Sequence, residues 1–235
     1  MKVVVNPTWR CQLSCRYCWL PHVKIDRAAP EHPAEEWAEA LTSALPPGSI
    51  VDLSGGEPLL FPRLPALLSA LGERGIGWAI TTNAMDTAAA RELAEAHPSG
   101  CVVINISDHA GNARAREGID ALRSAFPTSV NRVDHGASGD HEVGGYLLPF
   151  QDWEAGRALD GRRRLCDAGR HHWVADPAGR IWDCMVSMQL GHQPTGHLFE
   201  RWRMAKGVAT VCDFGCSTCY RDNPAGWMMT MEEIP

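Results

Sequence analysis

The chain has 235 residues, 45% of them hydrophobic and 21% charged, with a formal net charge of −6. That is enough for one well-buried core plus a small appendage, and the interspersed acids and bases exclude a broad phosphate-binding face, so nucleic acid is not an expected partner. No window reaches the roughly 18 uninterrupted apolar residues of a membrane span, and the apolar start is too short for a secretory signal, so no membrane partner is expected and a cytoplasmic location is the default.

Up to about residue 149, short β-rich runs alternate with helical patterns, and each run ends where unusual residues begin. Lys2–Val5 leads to Cys11, Cys15 and Cys18, and Ile50–Leu53 leads to Ser54-Gly55-Gly56-Glu57-Pro58. Residues 78–81 lead to Thr82-Asn83-Ala84, and residues 102–106 to Ser107-Asp108-His109. Residues 129–133 and Tyr146–Leu148 are two further strand candidates. Between the runs, Trp37, Leu41 and Leu45 recur at helical spacing, as do Leu64, Leu67, Leu68 and Leu71. Asp86 is placed to cap a third, Ala-rich helix, and Ile119, Leu122 and Phe126 mark a fourth. Repeated βα units with polar residues at strand C-termini predict an α/β fold with its site at that end. Six strands predict a partial (β/α)6 TIM-type barrel over residues 1–150.

Past residue 150 the pattern changes, and residues 151–235 read as a small C-terminal β-hairpin and helix domain. Residues 153–159 suit a linking helix, followed by Arg162, Arg163 and Arg164. Asp176-Pro177-Ala178-Gly179 is a turn between the runs His172–Ala175 and 180–183, hence a hairpin, and residues 201–208 suit a short helix.

Eight of the nine cysteines fall into two groups. Clustered thiols on a chain without a secretion signal point to metal or redox chemistry more than to disulfides. Cys101, alone at the head of an apolar strand, reads as a buried thiol. Cys11, Cys15 and Cys18 are spaced C-x3-C-x2-C in a loop made polar by Arg10, Gln12, Ser14 and Arg16, which is unlike a core. Zinc with a remote fourth ligand is compatible with that spacing. So is a [4Fe–4S] cube held by three thiolates, which leaves one iron open to a ligand that is not protein.

With Ser54-Gly55-Gly56-Glu57-Pro58 and Thr82-Asn83 following at successive strand ends, the chain resembles the radical S-adenosylmethionine (radical SAM) superfamily. The resemblance implies that Cys11, Cys15 and Cys18 hold a cluster whose open iron chelates S-adenosylmethionine. One-electron cleavage then yields a 5'-deoxyadenosyl radical that takes hydrogen from a substrate. It also assigns Tyr17 a position near the adenine, makes Gly55, Gly56, Glu57, Pro58 and Asn83 cofactor contacts, and makes Ser107 and Asp108 ribose contacts. A clear fifth-strand glycine motif is missing, with only Val130-Asn131-Arg132-Val133 in its place.

The second group, Cys166, Gly179 and Cys184 in a C-x12-G-x4-C arrangement followed by Cys212, Cys216 and Cys219, is compatible with a structural zinc knuckle. It also resembles the twitch or SPASM extension of radical SAM enzymes. That resemblance implies a second [4Fe–4S] cluster, an electron relay ligated by Cys166, Cys184, Cys216 and Cys219. Cys212 is left as an alternative ligand, a buried thiol or a hydrogen donor. With the triplet beginning at residue 11, no peptide-recognition domain is expected ahead of it.

The compact arrangement resembles the dehydrogenases that oxidise 2-deoxy-scyllo-inosamine. It implies a small-molecule substrate, dehydrogenation or epimerisation, and an external one-electron reductant such as flavodoxin or ferredoxin. A peptide-modifying maturase acting on a short ribosomal peptide is the alternative. A purely structural two-site metal module leaves Gly55-Gly56-Glu57-Pro58 unexplained.

Overall fold

The computed structural model describes residues 1–15, 18, 20, 28, 30–109, 113–133, 141–143, 146–148, 164–166, 172–189, 191–200 and 210–212. The predicted helices over 153–159 and 201–208 lie outside these residues, as do Tyr17, Cys216 and Cys219.

Five strands, β1 (Lys2–Val5), β2 (Ile50–Leu53), β3 (Gly77–Thr82), β4 (Cys101–His109) and β5 (Thr128–Val133), run parallel in sequence order. The helices between them are α1 (Ala34–Ala44), α2 (Leu64–Glu73), α3 (Thr87–Ala96) and α4 (Ala113–Ala125). Strand alternation sends Val3, Val5, Val51, Leu53, Trp78, Ile80, Ile104 and Ile106 into one core with Trp37, Leu41, Leu67, Leu68, Leu71, Leu93 and Leu122 from the helices. The periodic apolar residues of the sequence, Ile119 and Phe126 included, are all buried. Asp86 caps α3, its Oδ1 accepting from the Ala89 N–H at 3.0 Å.

Beyond β5 the chain departs from the six-strand expectation. Tyr146–Leu148 is a strand, but β6 (His141–Val143) turns back antiparallel on β5, and Tyr146–Leu148, as β7, turns back again on β6. A parallel return takes a crossover of a dozen residues or more, usually a helix. The stretch between β5 and β7 is occupied instead by β6.

The sixth parallel strand comes from farther along. β9 (His172–Ala175) pairs parallel with β1, matching Lys2 to His172 and Val5 to Ala175, and β10 (Arg180–Trp182) and β11 (Gly196–His197) extend that edge antiparallel. The predicted hairpin therefore exists and joins the main sheet. Its turn is built as the sequence suggests: Gly179 has φ +79° and donates to the Asp176 carbonyl at 2.8 Å, and the Asp176 carboxylate accepts from Arg180. A separate two-stranded sheet pairs β8 (Arg164–Cys166) with β12 (Thr210–Cys212).

The sheet face away from α1–α4 has two halves. Over β1, β9 and β10, Val4, Val174 and Trp182 pack under Met185 and Met188 of α5 (Met185–Gln189), with Trp9 against them. Over β2–β5, the residues facing this way are largely polar.

Candidate active site

The site is assembled at the C-terminal ends of β1, β2 and β3. Leaving β1, the chain runs through Asn6-Pro7-Thr8-Trp9-Arg10 into the cysteine loop, and the glycine motif after β2 fastens onto this segment. The Ser54 N–H donates to Val5, Gly56 to the Thr8 carbonyl at 3.0 Å and Glu57 to the Arg10 carbonyl at 2.8 Å. Such an approach demands glycine twice. Gly55 has φ +107°, and a Cβ there would stand 2.7 Å from the Thr8 oxygen; a Cβ on Gly56 would stand 2.2 Å from that of Arg10. From the other side, Glu31 accepts from Thr8 Oγ1 and pairs with Arg10 at 2.9 Å.

Glu57 is 1% exposed. Its Oε1 accepts from the Leu59 N–H at 2.9 Å and from Thr82 Oγ1 at 2.6 Å, and its Oε2 accepts from the Asn83 N–H at 2.8 Å. Burial raises its pKa, and these three donors oppose that rise. The carboxylate thereby locks the end of β3 to the glycine turn.

Asn83 continues the chain of contacts into the cysteine loop. Its Oδ1 accepts from Gln12 Nε2 at 3.1 Å and from the Met85 N–H at 2.9 Å, while its Nδ2 lies 3.9 Å from Cys11 Sγ. The Leu13 N–H donates to the same sulfur at 3.4 Å. Gln12 carries no special signal in the sequence beyond being a polar residue inside the triplet, yet it links the loop to β3.

Cys11 is exposed and Cys15 and Cys18 are half-buried, so none is a core thiol. Burial of the sulfur is the main cause raising the Cys11 pKa; Glu57, Cys15 and Cys18 add to it electrostatically, and the Leu13 N–H opposes it. Cys15 and Cys18 therefore lie close enough for their charges to be felt at the Cys11 sulfur. Among the described residues no three His, Cys, Asp or Glu side chains converge as a preformed metal cage. The loop nevertheless fits an iron–sulfur cube in its donor set: three accessible sulfurs, one of them already receiving N–H groups. Cys101, also half-buried, packs against the main core at the head of β4, and burial pushes its thiol up to about 12.

The polar half of the sheet face away from α1–α4 is carried by β2–β5. Asp52 projects opposite Val51 and Leu53, Thr81 opposite Ile80, and Asn105 and Ser107 opposite Ile104 and Ile106, with Asn131 in register with Ser107. Alternation separates the two predicted ribose contacts: Ser107 faces this side and Asp108 the other. Asp52 Oδ1 and Asn131 Oδ1 are buried and accept no hydrogen bond among the described residues. Each is a polar residue in an otherwise β-prone strand, the one signal by which the sequence could have singled it out.

In the C-terminal third, Cys184 follows β10 and accepts from the Ser187 N–H at 3.4 Å. Cys166 lies on β8, where its register partner is Thr210, two residues before Cys212.

The radical SAM superfamily model matches residues 5–136, the stretch that builds every feature at the three strand ends. The chain belongs to the radical SAM superfamily. It is therefore an enzyme, and enzymes of this superfamily use S-adenosylmethionine and a [4Fe–4S] cluster. Among curated relatives, the PqqA peptide cyclase of Streptomyces rochei is 29% identical over 149 residues, 57% of this chain and 40% of that protein. The PqqA peptide cyclase of Granulibacter bethesdensis is 36% identical over 75 residues, 32% of this chain and 20% of that protein. The radical SAM chain thus spans two fifths or less of the length of these relatives. BtrN, in a complex with AdoMet and 2-DOIA, shares the fold with a TM-score of 0.53 and 20% identity, covering 85% of this chain and 78% of BtrN. A histidine-tagged anSMEcpe with bound AdoMet gives 0.55 and 12%, covering 85% of this chain and 75% of that one. No helix among the described residues of this radical SAM enzyme is long and apolar enough to cross a membrane.

Proposed function

We propose that this radical SAM enzyme removes a carbon-bound hydrogen from a small polar substrate lying against the sheet face away from α1–α4, in a dehydrogenation or an epimerisation. Cys11, Cys15 and Cys18 hold the cluster, and the bound cluster supplies the electron that cleaves S-adenosylmethionine to the hydrogen-abstracting 5'-deoxyadenosyl radical. The observation carrying the substrate reading is the pair of buried acceptors, Asp52 Oδ1 and Asn131 Oδ1, among Thr81, Asn105 and Ser107. A buried acceptor without a donor costs about 1–3 kcal/mol, and a substrate bearing hydroxyl or ammonium groups removes that cost. On the neighbouring half of the face, α5 and its methionines exclude water.

Dehydrogenation leaves one electron to be removed after the hydrogen atom and a proton have gone. A second cluster, held by Cys166, Cys184, Cys216 and Cys219, would accept it, and an external reductant such as flavodoxin or ferredoxin would feed the first. In an epimerisation Cys212 is the candidate hydrogen donor.

The second reading, a peptide-modifying maturase, is favoured by the similarity to PqqA peptide cyclases. The deciding experiment reconstitutes the enzyme anaerobically and measures 5'-deoxyadenosine formed with 2-deoxy-scyllo-inosamine, related aminocyclitols, or PqqA peptides. Stimulation and deuterium transfer from a labelled cyclitol support the small-molecule reading. Stimulation by the peptides alone overturns it.

A further inference from the structure

Asn83 is only 5% exposed, and both ends of its side-chain amide are engaged. An amide can often be turned over without a visible change, but here its orientation is dictated. The Met85 backbone N–H, 2.9 Å from Oδ1, is a donor with no alternative role, and Gln12 Nε2 at 3.1 Å donates to the same oxygen. Nδ2, with its two hydrogens, is left facing Cys11 Sγ at 3.9 Å. The backbone beneath is held as well, because the Asn83 N–H donates to Glu57 Oε2 at 2.8 Å. A buried carboxylate thus fixes an amide, and the amide fixes a donor on the sulfur.

We propose that Asn83 is a positioning residue that sets the reduction potential of the cluster through an N–H to S bond to Cys11. The proposal rests on the reading of Cys11 as a cluster ligand. Hydrogen bonds to ligand sulfur draw electron density from the cluster and stabilise its reduced form, which raises its potential. Together with the Leu13 N–H, Cys11 receives two such donors. Gln12 serves the same end indirectly by occupying the amide oxygen. Glu57 acts one step farther back, through the Asn83 backbone.

The test is an EPR-monitored redox titration of the reconstituted enzyme. It follows the cluster signal that changes when S-adenosylmethionine is added, which separates the open cluster from any other. Asn83→Ala should retain the iron of that cluster and move its midpoint to a more negative value. Asn83→Gln, which keeps a donor, should return it toward the wild type. Asn83→Asp keeps the size and the acceptor for Gln12 and Met85 while removing the donor, and it should also shift negative if the alanine variant loses iron. A wild-type midpoint in the iron-replete alanine or aspartate variant overturns the proposal. Cys11→Ala is the control for the reading beneath it. If that variant keeps a signal that responds to S-adenosylmethionine, the assignment of Cys11 fails, whatever Asn83 does.

Discussion

Replacing Gly56 by alanine tests whether the glycine motif serves the cysteine loop. The new Cβ would stand 2.2 Å from the Arg10 carbonyl oxygen and 2.7 Å from the Arg10 and Trp9 carbonyl carbons, inside the 3.0 Å that Cβ atoms do not approach. Overpacking of this kind costs about 1–3 kcal/mol. Separating the strands of the loop also weakens the bonds from Gly56 to Thr8 and from Glu57 to Arg10, at about 1 kcal/mol each. The expected loss is about 3–5 kcal/mol, a large part of the roughly 5–15 kcal/mol that holds a domain. Urea unfolding of the apoprotein reads the stability, and iron analysis after reconstitution reads the loop, where loss of about four irons is expected. Gly48→Ala is the control: Gly48 has φ +82° but nothing within 4 Å of its Cβ direction. It should cost only about 1–2 kcal/mol of backbone strain and no iron. A Gly56→Ala protein that keeps its iron and unfolds within about 1 kcal/mol of wild type would refute the reasoning.

Asp52, its carboxyl pushed up to about 6 by burial against the opposing Lys2 charge, carries a stability cost above pH 6 that is relieved as the pH falls toward 3.8. Asp52→Asn should therefore be more stable than wild type at pH 8, by up to about 3 kcal/mol, and nearly equal to it near pH 4. His172, held down to about 4 by burial and then by Lys2, contributes stability that is complete above pH 6.5 and is lost on acidification toward 4, by up to about 3 kcal/mol. The two slopes oppose each other in wild type, so denaturant titrations from pH 4 to 8 should show a steeper acid loss in Asp52→Asn and a reversed slope in His172→Gln; parallel curves for all three proteins would contradict both assignments. Gly118→Ala puts a Cβ 2.2 Å from the Ala84 oxygen, so it should lift α4 from the turn after β3 and cost about 1–3 kcal/mol by urea unfolding. Cys15→Ala should abolish cleavage of S-adenosylmethionine, measured as 5'-deoxyadenosine, and retained cleavage with full iron would contradict the first cluster's assignment. Cys184→Ala should lower iron by about one cube while sparing that cleavage, and an unchanged iron count would show that the second ligand set is wrong.

The core was readable because helical spacing and strand alternation are local: Trp37, Leu41, Leu67 and Ile104 are buried where periodicity puts them. The Asp86 cap and the Gly179 turn are local as well. What could not be read was which strand lies beside β1. His172–Ala175 announces a strand but says nothing of its partner; its pairing with β1 completes both faces, Trp173 and Ala175 with Val3 and Val5 on one, Val174 with Val4 and Trp182 on the other. Glu57 was visible as the acid of a glycine motif. Its engagement with Thr82 and Asn83 depends on two strand ends meeting, which no single segment encodes. Gln12 was hidden for the same reason.

The pairing of β1 with β9 joins groups 169 residues apart in the chain where Asn6 meets Ala175. During synthesis, the strand that carries the cysteine loop is made well ahead of its β9 partner, and that edge stays open until β9 has emerged. An open edge of Val3, Val4 and Val5 is a site for mispairing, and a contact of such sequence separation closes slowly. Iron delivered to Cys11, Cys15 and Cys18 before that closure would meet a loop whose base is still unanchored. The order of events that suits this topology is sheet first, metal second.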